Sequence, residues 1–278
     1  MKNKFIISIF LAVIFFGCQK NISLNIPKYE GKVVVFCILQ PNQWPDMSLT
    51  LSQSYYSYAD TTGQPTYITN AQVTITDQNT NIVDTLIGHS FGYYQGHHNT
   101  VAGHHYIANI NYQGKKITAE TTVPMPVKID HIDYVKLSPP IGPGVFDSSY
   151  FFSIFFNDIP GEADYYAVTQ SSKYTFNNAI TGYSVFTTDA GLDGKQIDIT
   201  TELINNDSVP PSPPFLVTFN LENATKETYD YFNSINSQSN SANNPFSQPV
   251  MVKSNINGGL GLFGAMTPSP DFFVNVKK

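Results

Sequence analysis

Apolar and polar residues alternate with a period of two in short bursts along most of the chain. Ala71, Val73 and Ile75 alternate with Gln72, Thr74 and Thr76, and Tyr106, Ala108 and Ile110 with Ile107, Asn109 and Asn111. A period of two places one set of side chains on one face of a β-strand. The pattern predicts strands at 32–39, 47–53, 71–76, 82–87, 91–95, 104–112 and 115–122. Gln113-Gly114 supplies a tight hairpin turn between the last two. Short strands at this spacing, separated by turn residues, predict an immunoglobulin-like sandwich over 31–125.

Pro124 and Pro126 interrupt the pattern and mark a boundary. Beyond it, strands are expected near 128–136, 149–157, 164–171, 182–187, 195–201, 215–222, 249–256 and 272–276. Tyr150 to Phe156 is apolar at almost every position, as a central strand would be. The helical spacing of Tyr229, Phe232 and Ile235 predicts one helix near 224–237, with Asn223 as its N-cap. The fold class is therefore all-β: an immunoglobulin-like sandwich, then a second antiparallel β domain over 126–278 with one short helix.

The first residues follow a different pattern. Lys2 and Lys4 precede an apolar run, Phe5 to Phe16, broken only by Ser8. A charged start, an apolar core and a small residue at the cut describe a secretory signal over 1–17. The run is shorter than the ~20 residues a membrane-spanning helix needs. Residues 18–30 then read as a polar tether.

Composition narrows the functional classes. The net charge is −6, and the basic residues are all Lys. Nucleic-acid capture relies on basic residues that neutralise phosphate, so an acidic chain speaks against that partner. Cys37 lies inside the apolar run Val33 to Leu39, a setting for a buried structural thiol rather than a nucleophile.

Five of the 6 histidines fall between His89 and His105. His97, His98, His104 and His105 form two near-identical Gly-His-His steps and are the candidate metal ligands, because neutral imidazole binds zinc, copper or nickel. Adjacent strand residues face opposite ways, so each pair would offer one ring to a given face. Asp77 to Asn81 begins like a calcium loop, but Ile82 and Gly88 break the EF-hand spacing. Asp189 and Asp193-Gly194 read as turn residues. The Gly-rich run Gly258 to Ala265 lacks the Lys-Ser/Thr of a phosphate loop and reads as a close backbone approach in a hairpin. No acid–base pair or nucleophile elbow emerges, so no catalytic residue is named, no cofactor is implied and no ligand-binding residue is assigned.

Gly17-Cys18 resembles a bacterial lipobox, with Phe15 and Phe16 where Leu and a small residue usually stand. The resemblance implies lipidation at Cys18 and attachment to a membrane; two acyl chains give a stable anchor. Gln19-Lys20-Asn21 is similar to the start of the export signal of Bacteroidetes surface lipoproteins.

Several segments together resemble the Bacteroidetes lipoprotein family called domain of unknown function 4249 (DUF4249). They include the Val-rich run 33–39, Asn70 to Asp77, Gly114 to Ala119, Phe156 to Tyr166 and, most specifically, Ser254 to Ala265. The resemblance implies an outer-membrane, lipid-anchored protein, more on the cell surface than facing the periplasm. It also implies a TonB-dependent receptor as partner, because such proteins are often encoded beside one. The expected role is a non-enzymatic accessory or substrate-capture protein. The alternative is a stand-alone solute-binding, metal-binding or adhesive surface module.

Overall fold

The computed structural model describes residues 29–53, 64–137, 149–161, 163–172, 185–203, 214–242, 248 and 250–277. The expected signal over 1–17, Cys18 and most of the expected tether lie outside the described residues. The first half runs β1 (Val33–Leu39), β2 (Asp46–Leu51), β3 (Thr66–Tyr67), β4 (Gln72–Asp77), β5 (Val83–Thr85), β6 (Ile87–Gly88), β7 (Tyr93–Gln95), β8 (His105–Tyr112) and β9 (Lys115–Thr122). The second runs β10 (Ile129–Leu137), β11 (Ser149–Asn157), β12 (Tyr165–Ser172), β13 (Val185–Thr188), β14 (Gln196–Leu203), β15 (Phe215–Ala224), α1 (Lys226–Ala242), β16 (Leu260–Pro268) and β17 (Phe272–Val276). The protein is mostly β, with several antiparallel sheets and one α-helix among the described residues.

Each half has its own core, built mainly from the residues that alternate inward. In the first, the sheet β5-β4-β8-β9 packs on β1, β2 and β7. Val35, Cys37, Met47, Leu49, Ile75, Ile110 and Ile117 fill the space between them and are almost fully buried. Burial pushes the Cys37 thiol far above its usual value, with a smaller contribution from the Asp46 charge, so it stays protonated and apolar. In the second half, the sheet β10-β11-β14 packs on β12, β15 and β17. Here aromatic side chains dominate: Phe152 and Phe219 meet at 5.0 Å, and Phe156 and Tyr166 at 4.7 Å. β11 is central as expected, but only Tyr150, Phe152, Ile154 and Phe156 are buried. On its other face Phe155 stacks on His131 at 4.4 Å.

The boundary at Pro124–Pro126 divides these cores, yet it does not divide the sheet. Residues 31–278 form one compact unit, and a single sheet runs β13-β12-β15-β16-β1-β2-β7-β6. Its joint is β16. This strand pairs in parallel with β1, from Val34↔Leu260 to Leu39↔Ala265, and antiparallel with the end of β15. Residues Gly261 to Thr267 are buried on both faces. Phe263 and Ala265 enter the first core, and Met266 packs with Ala167 and Ala224 on the face that α1 covers.

Three expectations for this region change. The Gly-rich run makes the expected close backbone approach, but in the joining strand β16, which pairs with β1 and β15, rather than in a hairpin. Gly261, at φ +108°, lets the β1 backbone approach where a Cβ would strike the Val35 carbonyl. The strand expected at 249–256 does not form. Instead the Asn255 side chain stands in for a strand partner, its Nδ2 donating to the Phe263 carbonyl at 2.7 Å and its Oδ1 accepting the Phe263 N–H at 3.0 Å. Finally, β15 continues through Ala224, so Asn223 is a strand residue. The helix cap is Thr225, whose Oγ1 accepts from the Thr228 N–H at 3.4 Å.

Helix α1 sits close to the sheet because small residues face it. Thr228 is fully buried, and a Cβ on Gly264 would meet its Oγ1. Tyr229, Phe232 and Ile235 share a half-buried flank, and rings there meet Tyr165 and Phe186 at 5.0 and 5.6 Å. Lys226 and Lys253 both pair with Asp230, at 2.6 and 2.8 Å, fixing the helix to the segment before β16.

Candidate functional site

A crevice of about 590 Å³ opens where the two cores adjoin. That falls within the roughly 300–1,000 Å³ typical of small-molecule sites. The end of β9 and the Pro124–Met125 connection form one side. The loop after β11, the end of β15 and the first turn of α1 form the other. Two of the lining residues each hold a buried oxygen without a hydrogen-bond partner among the described residues: Thr121 Oγ1 and Asn223 Oδ1. The Asn223 Nδ2, by contrast, donates to the Met125 carbonyl at 3.0 Å, which fixes the amide. A buried acceptor left unpaired costs about 1–3 kcal/mol, and most such atoms in native proteins are satisfied by something.

The charged groups around the crevice are mixed but mainly acidic: Glu120, Asp164 and Glu227 against Lys226 and His105. Asp164 is half-buried, and its carboxyl is pushed up to about 6. Desolvation is the first cause and the Asp158 charge the second; the Asn223 amide opposes them, and Asp189 adds to them. A carboxyl poised near neutrality in a cleft marks a candidate binding position.

Three of the four candidate histidines are held away from the crevice, and the four sit in separate places. Asp84, buried on β5, accepts the backbone N–H groups of His97 and His98 at 2.8 and 2.9 Å. Its other oxygen lies 3.4 Å from Nδ1 of each ring. His104 Nδ1 lies 2.8 Å from Asp77 Oδ2. His105 meets Thr122 Oγ1 at 3.0 Å and Glu120 at 3.5 Å, at the rim of the crevice. The four rings are thus split among three carboxylates. Among the described residues, the group whose donor atoms converge within 4.8 Å contains none of these histidines; it consists of Asp158, Asp189 and Asp193.

Asp84 and Asp77 act as loop anchors. Burial works to raise both carboxyls, but hydrogen bonds outweigh it and hold them below the usual range: the His97 and His98 groups at Asp84, and His104, the Asn79 N–H and Thr80 at Asp77. Asp84→Ala would leave two backbone donors without their acceptor and open space beside Gly96, whose missing Cβ accommodates this carboxylate. The expected loss is about 2–4 kcal/mol of unfolding free energy in urea titration, with Asp84→Asn in between.

A family model for a domain of unknown function, DUF4249, matches residues 19–270. The chain belongs to this family. No curated protein matches it. The match runs through both cores of the DUF4249 chain and includes every residue of the crevice. Thr121 and Asn223 carried no sequence signal, since one alternates inward like any strand residue and the other resembles a helix cap. The acidic group was half visible: Asp189 and Asp193 read as turn residues, and nothing in the sequence placed Asp158 beside them.

Proposed function

We propose that this DUF4249 chain is a non-enzymatic, lipid-anchored outer-membrane protein that captures a small ligand in the crevice and serves a TonB-dependent transporter. The carrying observation is a crevice of ligand size, about 590 Å³, with the carboxylates of Glu120, Asp164 and Glu227 around it. A ligand rich in hydrogen-bond donors, neutral or cationic, would suit the acids Glu120, Asp164 and Glu227. The leader and Cys18 support the anchor, and the family resemblance supports the transporter. Rigid sandwiches with a crevice between them suit capture, since little needs to move on binding.

The test is purification of the C-terminally tagged protein from native outer membranes in mild detergent, with mass spectrometry of co-purified proteins and of small molecules released on denaturation. A barrel in stoichiometric amount and a donor-rich small molecule are expected. A protein free of both would point to the adhesive or structural alternative.

A further inference from the structure

Charge is unevenly spread over the first half of the fold. Among the described residues from Gly31 to Val123 the lysines are Lys32, Lys115 and Lys116, and all are exposed. They gather at one end. Lys32 directly precedes β1, and Lys115 and Lys116 follow the turn between β8 and β9. The segment before β16 bridges the two places: a Cβ on Gly258 would meet the Lys116 carbonyl, and one on Gly259 the Val33 carbonyl, each at 2.8 Å. Asp46, Asp77 and Asp84 lie toward the opposite end, with Glu120 between. No carboxylate pairs with the three lysines among the described residues, whereas Lys226 and Lys253 both pair with Asp230.

The lysine end also exposes aromatic rings. Tyr67, 40 % exposed, pairs with Thr50, which pairs in turn with Val34 near the start of β1. Phe91 is 74 % exposed and meets Tyr67 edge to face at 5.5 Å. Its backbone is left-handed, at φ +58° and ψ +29°. A bulky residue adopts that conformation only against steric cost. Gly92 follows at φ +69°, where a Cβ would strike the Leu49 carbonyl. The turn is thus held in a strained form that presents a ring to the outside, and strain of this kind concentrates at binding surfaces.

Rings at the surface beside unpaired lysines suit the boundary of a bilayer. Aromatic side chains favour the head-group level, and lysines are drawn to anionic phosphates. Cys18 lies 13 residues before Gly31, and a chain of that length reaches at most about 45 Å. We propose that this end of the first half rests on the phosphate-bearing surface of the membrane, with Phe91 and Tyr67 at head-group level and Lys32, Lys115 and Lys116 over the phosphates. The orientation rests on the reading of Cys18 as the lipidated residue. Trp44, the one tryptophan, then points away from the bilayer: it is 52 % exposed and lies beyond the far end of β1. The seven residues of β1 put roughly 23 Å between the two ends.

The experiment is fluorescence quenching by brominated phospholipid, on the protein purified from membranes and reconstituted into phosphatidylcholine–phosphatidylglycerol vesicles. The parent reports from Trp44. A variant combining Trp44→Phe with Phe91→Trp reports from the lysine end. It should lose most of its emission to the brominated chains, while the parent keeps most of its own. Equal quenching of the two, or stronger quenching of Trp44, would overturn the proposal. Intact mass shows separately whether Cys18 carries acyl chains. The mature chain with Cys18→Ser then tests the surface without the anchor. At millimolar lipid it should still sediment with the vesicles, release them as salt rises, and bind at least about tenfold more weakly once Lys32, Lys115 and Lys116 are replaced by Glu. No sedimentation, or binding indifferent to salt and to the lysines, would overturn the surface whatever the state of Cys18.

Discussion

Gly261→Ala is expected to prevent this protein from folding to its native state, at a cost above ~4 kcal/mol. The residue sits at φ +108° in the strand that joins the two halves, and an added Cβ would strike the carbonyl of Val35. Two penalties combine. A side chain at that φ is strained, and the parallel β1–β16 pairing must open to relieve the clash. The first core would lose Phe263 and Ala265 and the helix-covered face would lose Met266, since all three enter from the same strand. Gly191→Ala is the control. It also has positive φ, at +81°, but nothing lies within 4 Å of its missing Cβ. It should cost only about 1 kcal/mol. Thermal melting followed by circular dichroism distinguishes the two; equal small losses would mean that β16 does not pair as closely as described.

The second large effect concerns Glu222, on the helix side of β15. It is 7 % exposed, its Oε2 has no hydrogen-bond partner among the described residues, and burial alone pushes its carboxyl from 4.5 up to about 7. The folded protein therefore holds a proton that the unfolded chain releases between pH 4.5 and 7. Stability from this group is fully present below pH 4.5 and falls as the pH rises through 7. Ionisation in the folded state costs on the order of 3 kcal/mol at pH 8. Glu222→Gln mimics the protonated acid. It should gain up to about 3 kcal/mol at pH 8, gain almost nothing at pH 4.5, and flatten the slope between. Urea titrations of both proteins across that range measure it. A parallel shift at all pH values would assign the gain to packing rather than to the proton.

Legibility in the sequence followed the physics of each element. Strands of the first half declared themselves because one face is buried and the other wet, so alternation at Ala71 to Thr76 and Tyr106 to Asn111 maps directly onto β4 and β8. β16 hid for the opposite reason. Buried on both faces and rich in glycine for close approach, it has neither alternation nor bulk. The extended polar segment before it looked like a strand because Asn255 makes strand-like hydrogen bonds with its side chain rather than its backbone. Helix α1 was visible in Tyr229 and Phe232, but its start shifted because Asn223 and Thr225 are both good caps and only the length of β15 decides between them. The crevice was not legible at all. Thr121 and Asn223 are 102 positions apart, and they line one crevice in a fold whose two halves β16 joins. The histidines drew attention by their spacing, yet each finds a nearby carboxylate and they do not converge on one another.

The central claim is that the crevice holds a ligand on behalf of a membrane transporter. The most direct measurement is the native outer-membrane purification carried out in parallel on the parent protein and on Asp164→Asn. The amide keeps the shape of the half-buried crevice carboxyl and removes its charge, so folding should be unchanged. The parent should carry a TonB-dependent barrel and a donor-rich small molecule, and Asp164→Asn should keep the barrel while losing most of the small molecule. A parent protein that comes out with neither, or a variant that retains the small molecule in full, would contradict the claim.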